Sequence, residues 1–263
     1  MLSEWANLLL RWIHVFSAIL WIGQTWLFMW LDHRFHDPEE NPGGKVYMVH
    51  SGGFYVVEKK PALEAMPKTL HWFKWEAAVT WASGLLLLIV VYYHGGLLLG
   101  AEATLSEGRA IALGVAVFFC GWPLYDQVFC RLLSRSPALG AVASLAALVG
   151  LAYGLGLVFS PRAAYIHVGA VMGTIMANNV WARIIPGQQS MVEAIAAGRP
   201  PDLALGQQAK ERSIHNTFIV VPLLLIMLSN HFPTATYGQR HPWAVLGGLV
   251  VLGWAAAAIV RRR

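Results

Sequence analysis

The chain has 263 residues, 57% of them apolar and only 13% charged, with twelve tryptophans and a net charge of +5. That balance excludes a soluble enzyme with a charged surface and points to a polytopic membrane protein forming one domain, 1–263. The basic excess lies mostly between apolar stretches, so it is a topology signal and gives no reason to expect a nucleic-acid partner.

Apolar spans near 8–31, 72–93, 110–132, 138–159, 163–185, 214–231 and 242–260 each approach the roughly 20 residues of a bilayer crossing. The expected fold is therefore all-α, a bundle of about seven transmembrane helices. Lysines and arginines such as Lys59, Lys60, Lys74, Arg131, Arg183, Arg212 and Arg261–Arg263 fall on one side, and only Arg11, Arg109, Arg162 and Arg240 on the other. The positive-inside rule then puts the N-terminus outside and the C-terminus in the cytoplasm, with cytoplasmic loops 33–70 and 186–212. Cys120 and Cys130 provide neither a Cys-x-x-Cys-His haem attachment nor a cysteine metal site. The first span is too long for a signal-peptide core and lacks a clear cleavage site, so it reads as a retained helix.

The first helix carries His14, Ala18, Trp21 and Thr25 on one face, with Gln24 close by. At about 1.5 Å per residue, His14 lies roughly 9 Å below the outer surface. His33 and His36 end the helix at the cytoplasmic interface. Pro38, Pro42, Gly43 and Gly44 then break the chain, and Val49–Tyr55 brings a glycine pair followed by aromatics. This loop is either a lid or docking surface, or an amphipathic segment at the interface.

Met66–Glu76 leads into the second span. Glu76 sits about a turn inside the membrane, with Thr80 and Ser83 on its face, and an intramembrane glutamate is a candidate catalytic group. Lys74 and His71 can snorkel to the interface and offset its charge. The third span places Asp126 at a similar depth. Two carboxyls at one level suggest a proton path or a polar substrate site, or else an ion pair of Asp126 with Arg131 or Lys74. The fourth span has no ionisable residue before its end at Ser160 and reads as scaffold.

The fifth span puts His167, Thr174 and Asn178 on one helical face, and Gly169 with Gly173 forms a small-xxx-small pair. Ile184-Ile-Pro-Gly is expected to break this helix, with a short interface helix at 191–197. His215 and Asn216 open the sixth span on the cytoplasmic side, Pro222 kinks it, and Ser229–Pro233 closes it outside.

Sorted by depth, the polar residues form two groups. His14, His167 and His231 lie toward the outside, with His94 and His241 nearer the rim. Glu76, Asp126, Asn178, His71, His215 and His50 lie toward the cytoplasm. Histidines on different helices at matched depth can clamp a b-type haem, and His14 with His167 is the best matched pair. His231 is a third ligand candidate or a hydrogen-bonding partner at a haem edge.

Several motifs carry a family resemblance. They are Trp12-Ile-His-Val with Trp21-Ile-Gly23, Val49-His-Ser-Gly-Gly-Phe-Tyr55, Leu70-His-Trp-Phe-Lys-Trp-Glu76, and Trp122 through Tyr125-Asp126 to Cys130. Tyr165-Ile-His-Val through Asn178, Ile184-Ile-Pro, Arg212-Ser-Ile-His-Asn216 and Ser229-Asn-His-Phe-Pro233 continue the series in order over nearly the whole chain. In these motifs the chain resembles the membrane domain of bacterial membrane-bound urate oxidases, the PuuD-type urate hydroxylases.

The resemblance implies oxidation of urate toward 5-hydroxyisourate in the bacterial inner membrane, with electrons leaving through a cytochrome c. In known members the cytochrome is fused after one further helix. Here seven spans are expected and no haem c motif, so a separate cytochrome c or respiratory-chain subunit is the expected partner. Within this frame Asn178, Asn216, Gln188 and His71 supply hydrogen bonds to the urate edges and Lys74 offsets its charge. Glu76 or His215 accepts a proton, with Asp126 beside them. Electrons then pass outward to a haem b held by His14 and His167. The rival readings are a haem-bearing electron-transfer subunit without urate chemistry, and a purine transporter, although no inverted repeat is evident.

Overall fold

The computed structural model describes residues 2–35, 41, 43–60, 62–63, 66–101 and 103–261. Helix α1 (Leu2–Arg34) is followed by a hairpin of β1 (Lys45–His50) and β2 (Gly53–Glu58). Next come α2 (Trp75–Leu88), α3 (Glu107–Leu124), α4 (Cys130–Arg135) and α5 (Pro137–Gly156). The chain ends with α6 (Pro161–Asn179), α7 (Ile185–Ala196), α8 (Leu203–Leu228) and α9 (Pro242–Arg261). His36, Pro38, Pro42, Arg262 and Arg263 lie outside the described residues.

The fold is the expected all-α polytopic bundle, with a difference in the number of spans. Among the described residues, six helical segments are long and apolar enough to cross a membrane: Glu4–Arg34, Trp75–Tyr93, Glu107–Arg135, Pro137–Gly156, Leu203–His231 and Pro242–Arg261. The fifth expected span, α6, is not among them. The physical reason is its position. Nearly every residue of α6 from Ala163 to Asn179 is buried against α2, α3, α5 and α8, so it meets protein where the others meet lipid. A helix walled off in this way can hold His167, Thr174, Asn178 and Asn179 without presenting them to hydrocarbon.

Close packing around α6 depends on missing side chains. A Cβ on Gly169 would stand 2.8 Å from Met227 Cε of α8, and one on Gly121 of α3 would stand 2.5 Å from Val171 Cγ1. The small-xxx-small pair on α6 therefore admits α8, as its spacing predicts. On the far side of α8, a Cβ on Gly253 would come within 2.6 Å of the Pro222 backbone, which seats α9 against the proline turn. Helix α1 packs mainly on α2 at the edge, with its outer face (Trp12, Phe16, Ile19) turned away from the bundle.

Among the described residues, three helical turns are wide, with i→i+5 hydrogen bonds: Ile89–Tyr93, Tyr125–Phe129 and Val180–Ile184. The break expected at Ile184-Ile-Pro-Gly is absent. Pro186 lacks an N–H, but the wide turn just before it absorbs the mismatch, Ile185 N–H bonding to Val180 O, and the helix continues into α7. The wide turns at Tyr125–Phe129 and Val180–Ile184 carry or adjoin Tyr125, Asp126, Asn179 and Arg183, and such bulges recur where a helix must aim side chains.

The loop expected as a lid or an interface segment contains the antiparallel hairpin, register Lys45↔Glu58 to His50↔Gly53. Ser51 and Gly52 both have positive φ, 52° and 75°, as a two-residue primed turn requires. Just past β2, Lys59 pairs with Asp32 near the end of α1, and Lys210 Nζ of α8 lies 2.7 Å from the other Asp32 oxygen. One carboxylate thus ties the hairpin to two helices.

Candidate functional site

The polar residues around the C-terminal end of α6 separate onto opposite faces of that helix. On one face the wide turn at Tyr125–Phe129 presents Asp126, which is buried between two arginines. Arg183 Nε donates to Asp126 Oδ1 at 3.1 Å and its Nη2 to Oδ2, while Arg212 Nη2 donates to Oδ1 at 2.7 Å. The partners expected for Asp126, Arg131 or Lys74, are replaced by these two. Wrapping Asp126 in two guanidiniums makes it an anchor for the arginines.

Beside this cluster runs a chain of hydrogen bonds. Asn179 Nδ2 donates to Asn216 Oδ1 at 3.0 Å and to Tyr125 Oη at 3.3 Å. Asn216 Nδ2 in turn donates to Met176 O at 3.1 Å, which locks α8 onto α6. Tyr125 Oη, already an acceptor, donates to His215 Nδ1 at 2.7 Å, leaving the proton of that imidazole on Nε2. Cys130 Sγ is 3.5 Å from the same Nδ1, and the Arg212 guanidinium lies 5.4 Å from the Tyr125 ring centre. Arg212 keeps one buried donor, Nη1, without a hydrogen-bond partner.

On the opposite face, Glu76 of α2 accepts from Gln24 Nε2 at 3.3 Å, and its Oε2 is buried without a partner. The Lys74 ammonium sits among Trp72, Trp75 and Trp181 rings at 5.5–5.8 Å from their centres. Asn178 donates back to Thr174 O of its own helix at 3.0 Å. Glu76 and Asp126, read from sequence as two carboxyls at one level, therefore belong to separate clusters.

Of the residues proposed to bind substrate together, His71 is exposed ahead of α2, Gln188 is exposed on α7, and Asn216 is committed to Asn179 and Met176. The structure joins His215, Asn216 and Asp126 of the candidate set. It adds Tyr125, Cys130, Asn179, Arg183 and Arg212, which sequence reasoning missed or counted only as topology markers. The available signal was an aspartate in one span facing arginines at the cytoplasmic ends of two others.

The outer histidines are separate from this cluster. His14 Nδ1 bonds to Thr80 O at 2.8 Å, so its proton is on Nδ1 and Nε2 carries the lone pair, and the ring lies over Gly84, where a Cβ would approach within 2.8 Å. His167 likewise bonds through Nδ1 to Ala163 O at 2.8 Å. Both tautomers suit an iron ligand. The space does not: His167 Nε2 faces Tyr93 Oη at 3.1 Å and would be 2.9 Å from a Cβ on Gly114, and Phe159 covers the ring with centres 4.8 Å apart. A porphyrin iron has no room at His167 Nε2 in this packing, so the pair does not fit as the two axial ligands of one haem. His231 is exposed, while its neighbour Asn230 accepts from Arg162 at 2.8 Å.

Two cavities flank the Tyr125–His215–Cys130 wall. One, of about 380 Å³, is lined by Arg131, Arg135, Arg183 and Arg212 against two carboxylates, Asp126 and Glu211, with Cys130 at the wall. The other, of about 990 Å³, lies between α3, α5, α6 and α8 and is almost wholly apolar, with Tyr125 and His215 at the wall. The first can receive a small anion, since four arginines exceed the charge of its two carboxylates.

A family model described as Urate oxidase N-terminal matches residues 1–262. No curated protein and no solved structure matches the chain.

Proposed function

Because the chain belongs to the urate oxidase N-terminal family, we propose that it is a membrane oxidoreductase that oxidises urate toward 5-hydroxyisourate, with the arginine-lined cavity as its urate site. The observation that carries this reading is the set of four arginines, Arg131, Arg135, Arg183 and Arg212, that line this one cavity against only two carboxylates. Urate is planar and usually anionic, and a guanidinium presents donors in the flat fork that suits its adjacent oxygen and nitrogen edges.

In this reading Asp126 holds Arg183 and Arg212 in position, and Arg131 contributes further positive charge. His215 stands behind Cys130 at the cavity wall and receives the urate proton by relay, as Tyr125 and Asn179 readjust the hydrogen bonds that occupy its Nδ1. Urate that has lost a proton is easier to oxidise. The positive-inside rule places this mouth on the cytoplasmic side. Glu76 and Lys74, on the other face of α6, take no part in binding urate. A cytochrome c is the downstream acceptor that the family resemblance implies; no step is assigned to a haem held by His14 and His167.

The test is urate binding to purified protein by calorimetry, paired with anaerobic urate loss in the presence of a soluble redox dye. Arg212→Met should abolish both. Wild-type affinity in that variant would remove the cavity from consideration as the urate site.

A further inference from the structure

We infer that the large apolar cavity is the binding site of a lipid-soluble quinone, which serves as the immediate electron acceptor. This deepens the reading of the chain as a urate oxidase and rests on it for the source of electrons, though not for the binding itself.

The cavity is built for an amphiphile that arrives from the bilayer. Its rim includes Cys120 and Leu124 on the outer face of α3, both exposed, Leu124 at 53%. Its interior is walled by Leu148, Leu151, Ile175 and Ile219. At about 990 Å³ it matches the upper range of small-molecule sites, enough for a ring and the first isoprene units of a tail, with the rest lying in lipid. A lipid acyl chain would find the same walls. What an acyl chain does not need is the polar end: Tyr125 and His215, hydrogen bonded to one another, line the cavity at its wall with the urate site. A quinone carbonyl needs a donor there, and its reduction needs protons.

The wall is two side chains thick at its thinnest described point. Cys130 lines the arginine cavity and touches His215, which lines the apolar one. Two electrons crossing it pass between reactants separated by this one pair of touching side chains, with no resident metal needed to span a long gap. The net reaction balances: urate, water and quinone give 5-hydroxyisourate and quinol. The oxygen of water forms a bond to carbon 5 of urate. Two electrons and two protons leave urate and water, and they convert the two quinone carbonyls to hydroxyls. His215 and Tyr125 deliver a proton on the quinone side. Reduction of a cytochrome c then lies one step downstream of the quinol.

Trp254 lines the cavity and serves as a reporter, since quinones quench indole fluorescence. The full chain in lipid nanodiscs is titrated with decylubiquinone, and anaerobic reduction of decylubiquinone by urate is followed beside reduction of a soluble dye. Saturable quenching is expected, with its amplitude largely lost in Trp254→Phe. Affinity should fall at least tenfold in Ala147→Phe, which fills the cavity, and Tyr125→Phe should slow quinone reduction at least tenfold. Quenching that ignores both Trp254→Phe and Ala147→Phe overturns the site. Quenching of Trp254 by brominated lipid chains that decylubiquinone does not relieve assigns the cavity to lipid and also overturns it. Urate that reduces the dye but never decylubiquinone defeats the acceptor role and leaves the urate reading standing. Decylubiquinone that binds as described, while urate reduces neither acceptor, supports the quinone site and defeats the urate reading.

Discussion

Replacing Asp126 by Asn removes one negative charge from the most enclosed ion cluster of the bundle while keeping its shape. The Asp126 side chain is 2% exposed and that of Arg212 is 8% exposed, whereas Arg183 is 34% exposed. Stripping a buried guanidinium of its carboxylate costs about 3–5 kcal/mol, because the remaining charge is desolvated and unpaired. Arg212 is the residue left in that state, already with one donor unsatisfied. Arg183 can turn to water, so its share is that of a screened surface pair, about 0–1 kcal/mol.

The expected order of destabilisation is therefore Asp126→Asn and Arg212→Met together at the top, with Arg183→Met well below. The double variant Asp126→Leu/Arg212→Met should cost much less than the two single changes combined, since removing both buried charges restores an apolar contact. Unfolding in mixed detergent–dodecyl sulfate micelles, read by far-ultraviolet circular dichroism, measures each value. Strict additivity in the double variant would refute the reasoning, and so would an Arg183→Met effect equal to that of Arg212→Met.

His167→Ala should destabilise the bundle by about 2–4 kcal/mol through lost packing against Phe159 and Tyr93, in the same micelle assay. It should leave any haem absorbance of the purified protein unchanged; a Soret band lost in this variant alone would restore the His14–His167 pair. Gly114→Ala pushes a methyl to 2.6 Å from Tyr93 Oη and should cost about 1–3 kcal/mol by overpacking, measured as a lowered midpoint. Asp32→Asn should lower global stability by less than about 1 kcal/mol, because Lys59 and Lys210 are 55% and 36% exposed. The same change should speed proteolytic nicking of the β1–β2 hairpin, read as fragment appearance on gels.

Apolar periodicity made the bundle and its span order legible, because lipid imposes length and composition on every helix that meets it. The same logic counts α6 as one more span without showing that it is enclosed on all sides, and it takes Pro186 for a helix breaker. Enclosure by neighbours and an i→i+5 turn are tertiary facts that hydropathy does not encode. The hairpin was overlooked although Lys45–Val49 and the Ser51-Gly52 turn carry strand and turn signals. His215, Asn216 and Asp126 were recognised as candidates from depth alone. The partners of Asp126, Arg183 and Arg212, stay hidden because basic residues near helix ends read as topology signals. Depth places residues along the membrane normal; it does not say which face of a helix they occupy, and so it merged Glu76 with Asp126.

The enclosure of α6 also bears on how the chain is made. A segment carrying a histidine, a threonine and two asparagines along its length has little tendency to enter hydrocarbon alone when it leaves the ribosome. It needs protein around it first, so α5 must hold it near the translocon until α8 arrives to cover Gly169 and pair Asn216 with Asn179. Biogenesis of this membrane protein is then cooperative across half its length. Truncation after α7 should yield a chain that quality-control proteases clear, even though every one of its first four spans inserts.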